Sequence, residues 1–178
     1  MDYLLLQDFL VSFSLPTLIV AVIVSAVSLT LNKFFNGIPK LLKAYLPFVL
    51  AILLSFGYDI IFVEGAFCFK KEVFYGGILS ASLSAIISSA LNKISQGKPI
   101  GVSATVLLIE GILESYIESN LLTNTALEIE QALILEDSEK KEQQVIDTIT
   151  YNCSSLSNDE IINLTKLIIT AVKEVKKS

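Results

Sequence analysis

The chain of 178 residues contains no histidine, no tryptophan and no arginine, so all 13 of its basic residues are lysines. Histidine is the commonest general base and metal ligand, and its absence excludes Ser-His and Cys-His catalysis and most zinc sites. Recognition of nucleic acid relies on clustered basic side chains, and a net charge of −5 without arginine argues against it. The composition therefore points away from an enzyme, a metalloprotein and a nucleic-acid-binding protein.

Cysteine and charge are also scarce. Cys68 and Cys153 lie 85 positions apart without a partner motif, so we expect neither a structural disulfide nor a cysteine-rich metal site. Only 17% of the residues are charged, whereas a soluble domain carries about a quarter. Residues 1–100 have a net charge of +2 and residues 101–178 a net charge of −7. This asymmetry predicts a membrane domain over residues 1–98 and an acidic cytoplasmic helical domain over residues 99–178.

Three long stretches carry almost no charge. The first has 24 uncharged residues and ends before Lys33, the second is interrupted only by Asp59, and the third has 20 uncharged residues and ends before Lys93. About 20 apolar residues at 1.5 Å each are enough for a helix to cross the hydrocarbon layer. The sequence therefore predicts an all-α fold with three transmembrane helices. They cover residues about 9–32, 41–63 and 73–92.

The lysines near the span ends predict the orientation. Loop 33–43 and the exit of the third span hold five lysines, whereas loop 64–72 holds two and the N-terminal tail holds none. Cytoplasmic loops of membrane proteins carry the excess of lysine. We therefore expect the N-terminus outside and the C-terminal half in the cytoplasm.

The third predicted span has small residues on one helical face and bulky residues on the other. At 100° per residue the small residues cover an arc of roughly 140°. Because lipid tails are as apolar as leucine, helices associate in a bilayer through close backbone approach and serine hydrogen bonds. Three interpretations are open: packing within the chain, self-association of copies, or the lining of a pore. The predicted association face consists of Gly77, Ser80, Ala81, Ser84, Ala85 and Ser88.

Asp59 is the only acidic residue inside a predicted span. An ionised carboxylate in hydrocarbon is costly, and intramembrane acids are often functional. Asp59 lies about four residues, or roughly 6 Å of helical rise, from the outer end of the second span. We therefore expect a residue at the level of the lipid headgroups, with a proton or ion site as the alternative.

The C-terminal half carries helix signals. Glu110, Glu114 and Glu118 repeat every four residues opposite an apolar face, which predicts an amphipathic helix with a solvated acidic stripe. Further helix starts are predicted by two capping boxes and one serine cap: Thr125-x-x-Glu128, Ser157-x-x-Glu160 and Ser138. We expect four short helices that bury a small common core.

Several short elements of this segment form a pattern: Ala126 with Glu130-Gln131, Glu139-Lys140-Lys141, Leu156-Ser157-x-x-Glu160-Ile161, and Leu167-Ile168-x-x-Ala171-Val172-Lys173-Glu174. Over residues from about 123 to 177 the chain resembles the soluble tail of phage holins of the LL-H type. It departs from that family at Ile169 and Thr170, where the family tends to have Glu and Ala, and in its three predicted spans, although three-span holins form another class. The resemblance implies accumulation in the host inner membrane, oligomerisation and a timed lesion that releases or activates a lytic enzyme.

These observations leave functions of different classes open. The first is a holin-like integral membrane protein that oligomerises and permeabilises the host inner membrane. The alternative is a membrane-anchored adaptor whose cytoplasmic helices dock a protein partner, and a third is a small transporter or channel subunit. The expected partners are the lipid bilayer, further copies of the chain and a protein for the C-terminal helices. We expect no catalytic residue, no cofactor and no metal ion.

Overall fold

The computed structural model describes residues 13–34, 40–65, 69–97, 101–153 and 156–177, and within these ranges the regular structure is entirely helical. The predicted all-α fold is therefore confirmed. Residues 9–12 of the predicted first span and Cys68 lie outside the described residues. Seven α-helices follow one another within the described ranges: α1 (Leu15–Phe34), α2 (Lys40–Asp59), α3 (Lys71–Ser95), α4 (Ala104–Leu113), α5 (Leu122–Ala132), α6 (Ser138–Asn152) and α7 (Asn158–Lys177).

The first three helices coincide with the three predicted apolar stretches. α2 continues directly into a π-helical turn, Ile60–Glu64, and Pro47 lies in the interior of α2. Within the described residues, two helices are long and apolar enough to cross a bilayer, Leu42–Val63 and Lys71–Ser95. The apolar part of α1 is shorter, Leu15–Leu31, so the count of three spans is not confirmed.

α3 is the central helix of the fold and contacts α1, α2, α4 and α7. In an 18-residue apolar stretch of α3, 61% of the residues are buried, whereas in the corresponding stretch of α2 only 17% are buried. Two serines of α3 bond their own helix: Ser80 Oγ donates to the carbonyl oxygen of Gly76 and Ser82 Oγ to that of Ile78, each at 2.9 Å. A helix with the composition of a membrane span is therefore surrounded by the chain's own helices.

Two glycines set the distance between α3 and its neighbours. A Cβ atom on Gly77 would lie 2.7 Å from the Cα of Ile52 in α2, and one on Gly111 would lie 2.7 Å from the carbonyl oxygen of Ala85. Both distances are shorter than van der Waals contact. α2 and α4 therefore approach α3 as closely as they do because these two positions have no side chain.

We expect alanine to have opposite effects at the adjacent positions Gly76 and Gly77. A Cβ on Gly76 meets nothing within 4 Å, so Gly76→Ala gains helix propensity and raises the free energy of unfolding by about 0.5–1 kcal/mol. Gly77→Ala pushes against the backbone of Ile52 and lowers that free energy by about 1–3 kcal/mol. Denaturant unfolding of the purified protein in detergent measures both values. Equal effects would contradict the close approach of α2 and α3.

The start of α7 confirms a predicted capping box. The Ser157 N–H donates to Oε2 of Glu160 at 2.9 Å, and the Glu160 N–H donates to Oγ of Ser157 at 3.4 Å. These two orphan donors at the helix start are therefore satisfied reciprocally. The hydrogen bonds from Ser157, first its backbone N–H and then its hydroxyl, hold the pKa of Glu160 below its ordinary value.

The predicted helix start at Thr125 is wrong, and the helix predicted at Ser138 begins there but has a different cap. α5 begins at Leu122, so Thr125 lies inside the helix, where its hydroxyl donates to the carbonyl oxygen of Leu121 at 3.0 Å. α6 is capped by Asp137 and not by Ser138, because the Asp137 carboxylate accepts the N–H groups of the next turn. In both cases a side chain that is able to cap a helix lies one or more positions inside the helix instead of at its cap position.

α7 packs on α3. Its C-terminal end reaches the N-terminal end of α3, where Nζ of Lys177 lies over the ring of Tyr75, 5.7 Å from the centroid. The buried residues of α7 belong to the same hydrophobic core as those of α1 to α4. Residues from both predicted domains, 1–98 and 99–178, therefore share one core. The buried side of α7 consists of Ile161, Leu164, Thr165, Ile168, Ala171, Val172 and Val175.

Candidate functional site

The outward surfaces of α1 and α2 carry large exposed aliphatic side chains, which we name the outer apolar face. Near the middle of the two helices, Val22 is 56% and Leu53 is 62% exposed. Monomeric soluble proteins rarely expose a large contiguous apolar surface unless it has a binding function. The outer apolar face consists of Leu15, Ile19, Val22, Ile23 and Val27 of α1 and Leu42, Val49, Leu53 and Leu54 of α2.

The predicted association face of α3 lies against three neighbouring helices. Gly77 meets α2 and Ala85 meets α4, while Ser25 of α1 places its Oγ 3.1 Å from the Oγ of Ser84. Five of the six residues are buried, and Ser88 is half-buried. Within the chain this face therefore packs helices together. Its use between copies stays a prediction, and it requires α3 to exchange these contacts.

A buried polar cluster joins α3 to α4 and α5. Glu110 is 1% exposed, and Nζ of Lys93 lies 2.8 Å from its Oε1. Thr123 donates to Oε1 at 2.6 Å and Ser89 donates to Oε2 at 2.9 Å, so both carboxylate oxygens are satisfied. A buried ion pair is tolerated when further hydrogen bonds complete it, as they do here. The cluster therefore holds the C-terminal helices onto the end of α3.

The prediction of a solvated acidic stripe is wrong at Glu110. α4 ends at Leu113, so Glu118 does not continue its face, and only Glu114 and Glu118 are exposed. The four-residue spacing showed that these glutamates share one side of a helix. It did not show that Lys93 of α3 packs against that side at Glu110. A usable signal was the spacing of Ser89 and Lys93, which lie one turn apart and present a hydroxyl and an ammonium on the same side.

Glu114 adjoins this cluster. Burial of its carboxyl group against neighbouring helices raises its pKa, the 2.6 Å hydrogen bond from Asn92 lowers it, and the charge of Glu110 raises it further. The net shift is upward, although the residue keeps exposed surface. The charged form of Glu114 is therefore disfavoured in the fold, and its contribution to stability falls as the pH rises through this pKa.

Asp59 lies at the opposite end of α3 from the polar cluster. It is 8% exposed, and Oδ2 lies 3.7 Å from Nζ of Lys70 without accepting a hydrogen bond. A cavity of about 160 Å³ adjoins the carboxylate. The placement of Asp59 at headgroup level stays a prediction. Within the described ranges, no group of three or more acidic, cysteine or histidine side chains is arranged to hold a metal ion.

No family model, no curated protein and no solved structure matches the chain. The resemblance of residues 123–177 to holin tails therefore stays a prediction. The features that bear on function are the outer apolar face, the association face, the polar cluster and Asp59.

Proposed function

We propose that the protein is a holin-like integral membrane protein that accumulates in a bacterial inner membrane, oligomerises and permeabilises it. The observation that carries the proposal is the outer apolar face on α1 and α2, which flank the serine-rich helix α3. Water penalises such a surface, whereas lipid chains cover it without cost to polar groups. A third span in α1, the N-terminus outside and the entry of the C-terminal helices from the cytoplasmic side are parts of the same proposal. In this arrangement α7 runs along α3, and Lys177 reaches Tyr75 at the outer end of α3.

α3 supplies the surface through which copies assemble. Small residues and serines favour helix association in lipid, because apolar side chains gain little from meeting each other there. Ser80, Ser84 and Ser88 lie one turn apart on one face, and a lumen shared by several copies is lined by this face once α3 has turned it outward. Assembly therefore exchanges contacts within one chain for equivalent contacts between chains.

The C-terminal helices supply a physical means of delaying that exchange. α7 covers part of α3, and the ion pair between Lys93 and Glu110 holds α4 onto the end of α3. While these contacts persist, α3 is shielded both from lipid and from other copies. We therefore assign the timing of assembly to the acidic C-terminal part.

Recording the membrane potential of bacteria after induction of the full chain tests the proposal. We expect depolarisation after a lag. Ile168→Asp shortens that lag, because an unpaired carboxylate on the buried side of α7 detaches the helix from α3. Ile162→Asp is the matched control on the exposed side of α7 and keeps the lag. Cells that accumulate all three proteins to high level without depolarising would exclude permeabilisation.

A second candidate function is a membrane-anchored adaptor. Ile134, which follows α5, is 70% exposed and Tyr151 of α6 is 88% exposed, so the C-terminal part presents apolar groups that the described residues leave uncovered. Aromatic residues are enriched where proteins meet. If the protein is an adaptor, its induction leaves the membrane potential unchanged and Tyr151→Lys abolishes docking of the protein partner. If the protein permeabilises the membrane, the Tyr151→Lys variant still depolarises the cell.

A further inference from the structure

α7 covers α3 through its apolar side. Its buried residues belong to the common hydrophobic core, and α7 contacts α3, α4 and α6. Among the described residues, the ion pair that α7 forms is internal, between Lys177 and Glu174 at 2.8 Å. α4, in contrast, is fixed to α3 by the buried pair of Lys93 and Glu110. α7 is therefore held mainly by apolar packing, and we name its position against these three helices the α7 seat.

A buried hydroxyl group in the α7 seat lacks a hydrogen-bond partner. Thr165 is 0% exposed, and its Oγ1 makes no hydrogen bond. Thr125, the other buried threonine of the described residues, donates to the carbonyl oxygen four residues earlier at 3.0 Å. A helical threonine has a rotamer that makes this bond to its own helix. In the α7 seat Thr165 does not use it, so its hydroxyl stays unsatisfied.

A second hydroxyl group of this kind lies at the start of α7. Tyr116 follows α4 and is 8% exposed, and its phenolic oxygen is buried without a hydrogen-bond partner. Burial raises the pKa of this phenol, and the nearby negative charges of Tyr45, Glu160 and Cys153 raise it further. Glu160 lies in the first turn of α7, and Cys153 follows α6 directly. Tyr116 therefore lies beside the junction of α6 and α7.

Both hydroxyl groups lower the stability of the α7 seat. A buried hydroxyl without a partner gives up its hydrogen bonds to water and gains none in the fold, whereas an apolar group of the same shape has none to give up. When α7 leaves the seat, water satisfies the hydroxyls again. The described residues contain four buried side-chain atoms without a hydrogen-bond partner, and two of them belong to this seat. The unsatisfied groups are therefore concentrated where α7 closes over α3.

We infer that the α7 seat is a release device, in which the unsatisfied hydroxyl groups of Thr165 and Tyr116 keep α7 only weakly closed over α3. The part of this device in timing rests on the proposed function, because only there does the departure of α7 expose α3 to other copies. The low stability of the seat does not depend on permeabilisation, and it is measured separately.

Hydrogen exchange of the full-length protein in detergent, followed by mass spectrometry, tests the inference. Amides of a helix exchange when the helix opens. Thr165→Val replaces the hydroxyl by a methyl group, and we expect the amides of α7 to exchange at least about fivefold more slowly. Tyr116→Phe removes the second hydroxyl and slows the same amides. The matched controls remove exposed hydroxyls: Thr170→Val on α7 and Tyr151→Phe on α6 exchange like the unaltered chain.

Membrane-potential recordings of the same variants separate the release device from the proposed function. We expect Thr165→Val and Tyr116→Phe to lengthen the lag before depolarisation, and both controls to keep it. If the α7 amides of Thr165→Val exchange as fast as those of the unaltered chain, or faster, the inference is overturned. Slower exchange with an unchanged lag overturns it as well. If no chain depolarises the cell, the proposed function fails, while the exchange rates still decide whether the seat is weak.

Discussion

Glu110→Ala is expected to lower the free energy of unfolding by about 3 kcal/mol, because it leaves the half-buried ammonium of Lys93 without the buried carboxylate that pairs with it. The change also removes the acceptor of the hydroxyl groups of Ser89 and Thr123. Denaturant unfolding of the purified protein in detergent measures the loss. Since the polar cluster joins α3 to α4 and α5, we expect the C-terminal helices to become sensitive to protease before α1 and α2.

Two further variants separate the ion pair from a general effect of mutation. Glu118→Ala removes an exposed glutamate and changes the free energy of unfolding by less than about 0.5 kcal/mol. The double change Lys93→Met with Glu110→Leu recovers most of the loss, because apolar side chains of similar volume replace a buried ion pair at little cost. If the double variant instead lost as much free energy of unfolding as the two single variants together, the direct pairing of Lys93 with Glu110 would be contradicted.

The combined change Val22→Lys and Leu53→Lys is expected to remove the protein from the carbonate-resistant membrane fraction. Both residues lie near the middle of their helices on the outer apolar face. A lysine at an exposed helical position in water changes stability by less than about 0.5 kcal/mol. At the centre of a bilayer each lysine costs about 2.5–3.5 kcal/mol on the insertion scale. The large difference between these two values makes the experiment decisive about the surroundings of α1 and α2.

The matched control is Ile134→Lys, at a position with an exposed isoleucine in the C-terminal part. We expect it to leave the membrane fraction unchanged, because Ile134 lies outside the three helices proposed to cross the bilayer. Retention of the double variant in the washed membranes would show that the outer apolar face does not contact hydrocarbon. An unaltered chain found in the aqueous supernatant would remove the permeabilising and the adaptor function together.

Local sequence patterns predicted the features that depend on neighbours within a few residues. The three uncharged stretches became α1, α2 and α3, because burial of backbone hydrogen bonds in apolar segments is possible only in regular structure. The capping box at Ser157 formed as expected, since both partners lie within one turn. The same reasoning failed at Thr125, where the fold begins α5 one turn earlier and thereby turns a cap into an interior residue.

The sequence by itself therefore determined that the chain is helical, where its apolar helices lie and that small residues share one face of α3. Only the tertiary structure decided that this face packs against α1, α2 and α4, and that Glu110 meets Lys93 instead of water. It also decided that Asp59 lines an open cavity between α1, α2 and α3. The physical reason is that helix periodicity specifies which residues share a side, whereas the partner of that side depends on packing between segments far apart in the chain.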